Sequence, residues 1–272
     1  MSDNINKTLP VLDILKNSYS AVIANIKPFI IFSYVLCAPI YLLSTIMPPA
    51  ASNIDDVSYT SIITYLILSV IILIIINTFF YRLFSVGKSL LFKINPPQLL
   101  KIFSKMAIYL FVLAFLLFIT LLAVVLIFGL AVSIVSEIAG DSALSEALMR
   151  SVVNFALLIA ILLVNMRLQP TFISIAINKV SIPMKSAFYY TRDNNKELIL
   201  IGLFSFIPAL LPSTICFMII GMLNLDPNYV NILAFLLFPL LLLPNVLILS
   251  AGIEVYKYLL PKQLNQEMDV SV

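Results

Sequence analysis

Charged residues in this chain come in clusters, and between the clusters they vanish for sixteen to thirty residues at a time. Six apolar stretches result, at 28–47, 59–80, 106–135, 151–166, 198–223 and 230–253. A hydrocarbon core of about 30 Å takes about 20 apolar residues of helix to cross. In lipid every backbone amide must be paired inside the protein, so such stretches form helices rather than open strands. The third stretch is long enough to tilt or to reach past the bilayer. The fourth is short and must borrow residues at its ends. The pattern predicts an all-α polytopic membrane bundle of six spans, a single integral domain over 1–272.

The clusters between the stretches set the orientation. Fifteen of the sixteen basic residues fall on one side. Lys7, Lys16 and Lys27 precede the first span; Arg82, Lys88, Lys93, Lys101 and Lys105 separate the second from the third. Arg167, Lys179, Lys185, Arg192 and Lys196 follow the fourth, and Lys257 and Lys262 follow the sixth. The other side carries Asp55, Asp56, Glu137, Asp141, Glu146 and Asp226 against Arg150 alone. Lys and Arg mark cytoplasmic loops. The expectation is a multi-pass protein of a bacterial cytoplasmic (inner) membrane with both termini cytoplasmic, and an odd number of spans would scatter the basic clusters over both sides.

The basic segments have helical periodicity of their own. From Leu9 to Ile26, Val11, Leu15, Tyr19, Val22 and Ile26 share one face, with Asp13, Lys16, Asn17 and Ser20 on another. Such a helix lies in the interface plane with its lysines near anionic lipid. Lys27-Pro28 is read as its end. Pro183 opens a similar unit whose apolar face is Met184, Ala187, Phe188 and Thr191, with a break at Asn194-Asn195. Pro96-Pro97 opens a third, shorter unit with room to run on into its span. Interfacial amphipathic helices are therefore expected before the odd-numbered spans, serving either as anchors or as partner-binding elements.

An internal repeat underlies two of these units. At an offset of 169, Lys16 meets Lys185, Asn25 meets Asn194, Lys27 meets Lys196, Pro39 meets Pro208, and Ser44-Thr45-Ile46 meets Ser213-Thr214-Ile215. No gap is needed. Pro39 and Pro208 are expected to kink spans one and five at matching depths, and Pro170 to kink the extended fourth. Repeats in membrane proteins often mark transporters. Six spans in repeated units also describe the mitochondrial carriers, but the segments after Pro39 and Pro208 read PIYLLS and PALLPS and lack the carriers' charged signature.

Composition narrows the chemistry. The chain is 62% hydrophobic and 11% charged, with no His and no Trp, against about 25% charged for a soluble domain. A net charge of +3, dispersed between apolar runs, gives no nucleic-acid surface. Cys37 and Cys216 sit inside apolar runs and read as small hydrophobes, and no metal-ligand spacing or cofactor motif occurs. No ionisable residue lies in the middle of a span, and there are six Gly in all, without a phosphate loop. The parts of a proton pump, an intramembrane protease or a paired-carboxylate hydrolase are missing, so the chain is read as not an enzyme.

The remaining candidates are polar. Asn77, Asn165 and Asn245 each lie towards the cytoplasmic half of an even-numbered span, as glue between helices or as the lining of one polar pocket. Arg167 lies in NMRLQPTFISIAI, apolar on both sides. It either snorkels to the headgroups or, with Arg82, contacts an anion or a phospholipid headgroup through its planar fork.

The order of parts resembles a known family. An amphipathic helix precedes span one, Pro170 and an apolar run lead to Asn178-Lys179, KSAFYYTRDNN leads into span five, and the last span ends in EVYKYLL. This layout resembles the YciC-like bacterial inner-membrane proteins and, more loosely, is similar to the membrane domain of some glycerophosphodiester phosphodiesterases. The resemblance covers most of the chain and implies an integral envelope protein, with no catalytic residues to carry over. Three functions follow as expectations: a non-enzymatic protein working with membrane phospholipids, a small-solute permease, or a scaffold subunit. Lipid handling calls for a groove between spans one and five; a permease calls for the three asparagines to converge.

Overall fold

The structure, a computed structural model, describes residues 8–46, 59–87, 94–139, 143–177, 182–222 and 227–259. Those residues are helical, without a strand among them. The order is α1 (Val11–Ala24), α2 (Ile26–Ile46), α3 (Tyr59–Val86), α4 (Pro96–Ala139), α5 (Ala143–Ile177), α6 (Met184–Thr191), a 3-10 turn (Arg192–Asn194), α7 (Asn195–Met222) and α8 (Pro227–Leu259). Four helical segments, in α4, in α5, from α6 into α7, and in α8, are long and apolar enough to cross a membrane, and the bent pair α1–α2 makes five.

The helix ends follow local chemistry. Pro96 and Pro97 open α4 in its first turn, where a missing N–H costs nothing, and the helix then runs unbroken for 44 residues. The unit before span three is thus continuous with its span. The short fourth stretch is extended at both ends to 35 residues, with Pro170 inside the helix. Gly87, at φ +77°, follows the last residue of α3, in the left-handed conformation that closes helices at little cost.

The elbow between α1 and α2 falls at Asn25 rather than at Lys27-Pro28. Asn25 Nδ2 donates to Ala21 O at 2.9 Å, and Asn25 O accepts from Phe29 N at 2.9 Å. One residue therefore closes one helix and opens the next, and the axes turn by 67°. Pro28 sits in the first turn of α2, where it is tolerated. α7 begins at Asn195, after the 3-10 turn and 169 residues beyond the start of α2 at Ile26, but Met184 to Pro212 runs as one helical segment without a comparable bend.

The buried face of α1 is Ile14, Leu15, Ser18 and Val22. Ile26 falls past the bend, in α2. Within α1 the face is rotated from the apolar stripe of the sequence, taking in Ile14 and Ser18 and leaving Val11 and Tyr19 only partly buried. The cause is α8. Ser250 Oγ donates to Ser18 O at 3.1 Å, and a side chain as small as Ser18 lets the two helices approach. The face of α6 matches expectation, with Ala187 and Thr191 buried.

The core occupies one end of the bundle. It is built from the C-terminal halves of α3, α5 and α8, where Phe80, Leu168, Phe172 and Ile253 are almost fully buried. A second cluster joins α1 to α5, α7 and α8 through Ile14, Met166, Leu198 and Val255. α8 is the hub and packs against α1, α2, α3, α5 and α7. The outer face of α4 stays bare, with Phe111, Phe115 and Phe118 exposed.

Candidate functional site

The buried end is the basic end. Arg82 is one of the few charged groups in the core, at 6% exposure. It donates from Nη1 to Ala176 O at 2.8 Å, in the last turn of α5. Carbonyls of a helix's last turn lack intrahelical donors, and a cation there also meets the negative end of the helix dipole. Arg82 is thus committed inward.

Arg167 lies nine residues earlier on α5, about 13 Å along the axis, and turns to another neighbour. It donates to Asn195 Oδ1 at the head of α7, and its guanidinium carbon lies 5.6 Å from the Phe188 ring centroid on α6. Its Nε has no partner. The structure therefore separates the two arginines. The α6–α7 segment that supplies Phe188 and Asn195 exposes Tyr189, Tyr190, Lys185, Arg192 and Lys196. Arg192 stacks on Tyr189 at 4.8 Å. Aromatic rings beside basic groups are the composition of a membrane–water interface.

The asparagines divide into two sets. Asn245 Nδ2 approaches Asn77 Oδ1 at 3.5 Å, a long contact between α8 and α3, and Asn77 Nδ2 donates to Leu73 O at 2.9 Å. One helical turn along α3, Tyr81 OH donates to Gln169 Oε1 at 2.7 Å, and Gln169 Nε2 donates to Asn165 Oδ1 at 3.0 Å. Gln169 is completely buried. Together they make a polar belt across α8, α3 and α5 whose members bond to one another or to backbone.

Proline shapes two further contacts. Pro208 has no N–H, so Phe204 O four residues earlier loses its helix donor. Tyr19 OH on α1 supplies one at 2.7 Å. Pro239 disturbs the same ladder in α8, and Tyr34 OH on α2 donates to Leu236 O at 2.8 Å. Pro39 and Pro170 also lie inside continuous helices. Thr214 is exposed, while the side chains of Ser44, Thr45, Ser213, Cys37 and Cys216 lie outside the described residues.

A groove runs between α2 and α8, not between α2 and α7 where a lipid path was expected. Ile26, Phe29 and Tyr34 face Leu236, Pro239 and Leu243 across a cavity of about 300 Å³. The only side-chain polar atom among these residues is the Tyr34 hydroxyl, already engaged. Among the described residues no group of three His, Cys, Asp or Glu side chains could hold a metal ion.

Gln169, Tyr81, Tyr19 and Tyr34 were not singled out from the sequence as polar contacts. A mid-helix proline does announce an orphan carbonyl four residues back, but at Phe204 O the donor lies 185 residues away in the chain. No known protein family, curated protein or solved structure matches this chain.

Proposed function

We propose that this is a six-span protein of the bacterial cytoplasmic membrane, with both termini in the cytoplasm, that works with phospholipid and performs no catalysis. The spans are α2, α3, α4, α5, α7 and α8. The shortest, α2, has 21 residues and reaches about 31 Å at 1.5 Å per residue. The helix starts at Ile26 and Asn195, 169 residues apart, support a duplicated unit, and the order of parts in the sequence resembles that of the YciC-like proteins.

The observation that carries the lipid reading is Arg167 itself: a half-exposed arginine whose guanidinium reaches Asn195 and packs by Phe188, on a segment that also exposes tyrosines and basic side chains. That arrangement suits a phosphate held at headgroup depth. The headgroup role falls to Arg167, because Arg82 is committed to Ala176 O. The commitment of Asn77, Asn165 and Asn245 to bonds between and along helices weighs against a small-solute path.

Native mass spectrometry of the protein released from mild detergent tests this. Wild type should retain a defined phospholipid, and Arg167→Gln should lose it or bind it less. Equal retention by the two proteins removes Arg167 from the reading, and a wild type carrying no defined lipid removes the reading itself.

A further inference from the structure

We infer that the α2–α8 groove seats one acyl chain of an anionic phospholipid whose headgroup lies at Lys27. This rests on the lipid reading but concerns a different place from Arg167. The groove spans Ile26 to Tyr34, about 12 Å of helix. Its floor is closed by Phe29, which is 2% exposed and lies 5.6 Å from the Phe80 ring.

The outer end is closed as well. Tyr34 bridges to Leu236 O, and its ring lies 5.6 Å from that of Phe235. What remains is an apolar slot about two helical turns long, with half-exposed walls at Ile30 and Leu240. Small-molecule pockets of this size carry a few convergent polar groups for orientation. This one offers none, because its single hydroxyl is spent, so its chemistry selects a hydrocarbon chain over a polar solute.

Charge selects the headgroup. Lys27 follows groove-lining Ile26 and is exposed at the inner end. It has no acidic residue within three positions along the chain. The amide of Asn25, on the other side of Ile26, is occupied by Ala21 O. An acyl chain in the slot would therefore bring its phosphate to a free cation. Tyr34 ties the two walls together at Leu236 O, so the slot's shape depends on a contact between its own two helices.

The test uses the full chain reconstituted in vesicles of equal parts dioleoyl-phosphatidylglycerol and dioleoyl-phosphatidylcholine, then released for native mass spectrometry. Wild type should carry the phosphatidylglycerol adduct in excess. Leu240→Trp and Ile30→Trp, which fill the slot from opposite walls, should each reduce the retained adduct by about tenfold. Phe115→Trp on the bare face of α4 should leave it unchanged. Lys27→Gln, at an exposed position, should bring the two lipids to equal retention without abolishing binding.

An adduct undiminished in both filling variants, or a phosphatidylglycerol preference that survives Lys27→Gln, overturns the groove. If in either case the adduct is still lost in Arg167→Gln, the lipid reading stands and the site is at Arg167. A wild type with no adduct overturns both.

Discussion

Gly252 gives the sharpest test of the packing at the basic end. A Cβ at this position of α8 would lie 2.6 Å from both Cγ and Oε1 of Gln169 and 2.7 Å from Cδ. Atoms do not approach that closely, so Gln169 must move. It has nowhere easy to go, being fully buried and tied at one end of its amide to Tyr81 and at the other to Asn165. Forcing a methyl into a packed core costs about 1–3 kcal/mol. Each polar bond lost within the membrane adds about 0.6 kcal/mol on average. Against this, Ala gains about 1 kcal/mol over Gly in a helix interior. The packing term wins, and Gly252→Ala should lose about 1–3 kcal/mol. Reversible unfolding in mixed micelles by a denaturing detergent measures it. Adding Gln169→Ala to Gly252→Ala opens the space for the new methyl, so the double variant should be more stable than the sum of the two single changes. A Gly252→Ala protein as stable as wild type or more so, with additive effects in the double variant, would refute this account of the α5–α8 contact.

The same assay reaches other contacts. Tyr19→Phe should cost about 1 kcal/mol by stranding Phe204 O, and the loss should disappear in a Pro208→Ala background, where the helix supplies its own N–H. Arg82→Met should destabilise by about 1–3 kcal/mol, because the last turn of α5 loses a charged donor, whereas Asn245→Leu should change stability by less than about 1 kcal/mol, given its long contact with Asn77. Topology is tested by thiol labelling of intact cells in a Cys37→Ala, Cys216→Ala background: an impermeant reagent should modify Asp55→Cys and Asp226→Cys and leave Lys185→Cys unlabelled, and labelling of Lys185→Cys would reverse the assigned orientation.

Much of this architecture was written in one dimension. The absence of charge over long runs determined that the chain is helical and made for a membrane, since a helix of about 20 apolar residues satisfies its whole backbone within the segment in hydrocarbon. Local chemistry also determined where several helices start, as at Pro96 and Pro183. These are properties of neighbouring residues or of composition, and they survive without knowledge of what packs where.

The tertiary structure decided what periodicity could not. The α1 stripe is two-sided enough to dock in more than one rotation, and it was the close approach of Ser18 to Ser250 that turned Ile14 inward. The two arginines looked alike in sequence; only the ends and neighbours of α5 committed Arg82 to a carbonyl and left Arg167 with a donor to spare. Asn165 was separated from Asn77 and Asn245 because Gln169 and Tyr81 come between them. The tyrosine that repairs Phe204 O comes from 185 residues away, and the one that bonds Leu236 O from 202. A proline fixes where a carbonyl is orphaned through a local covalent rule, but the donor that answers it depends on which helix lies alongside, and that is settled only when the whole bundle packs.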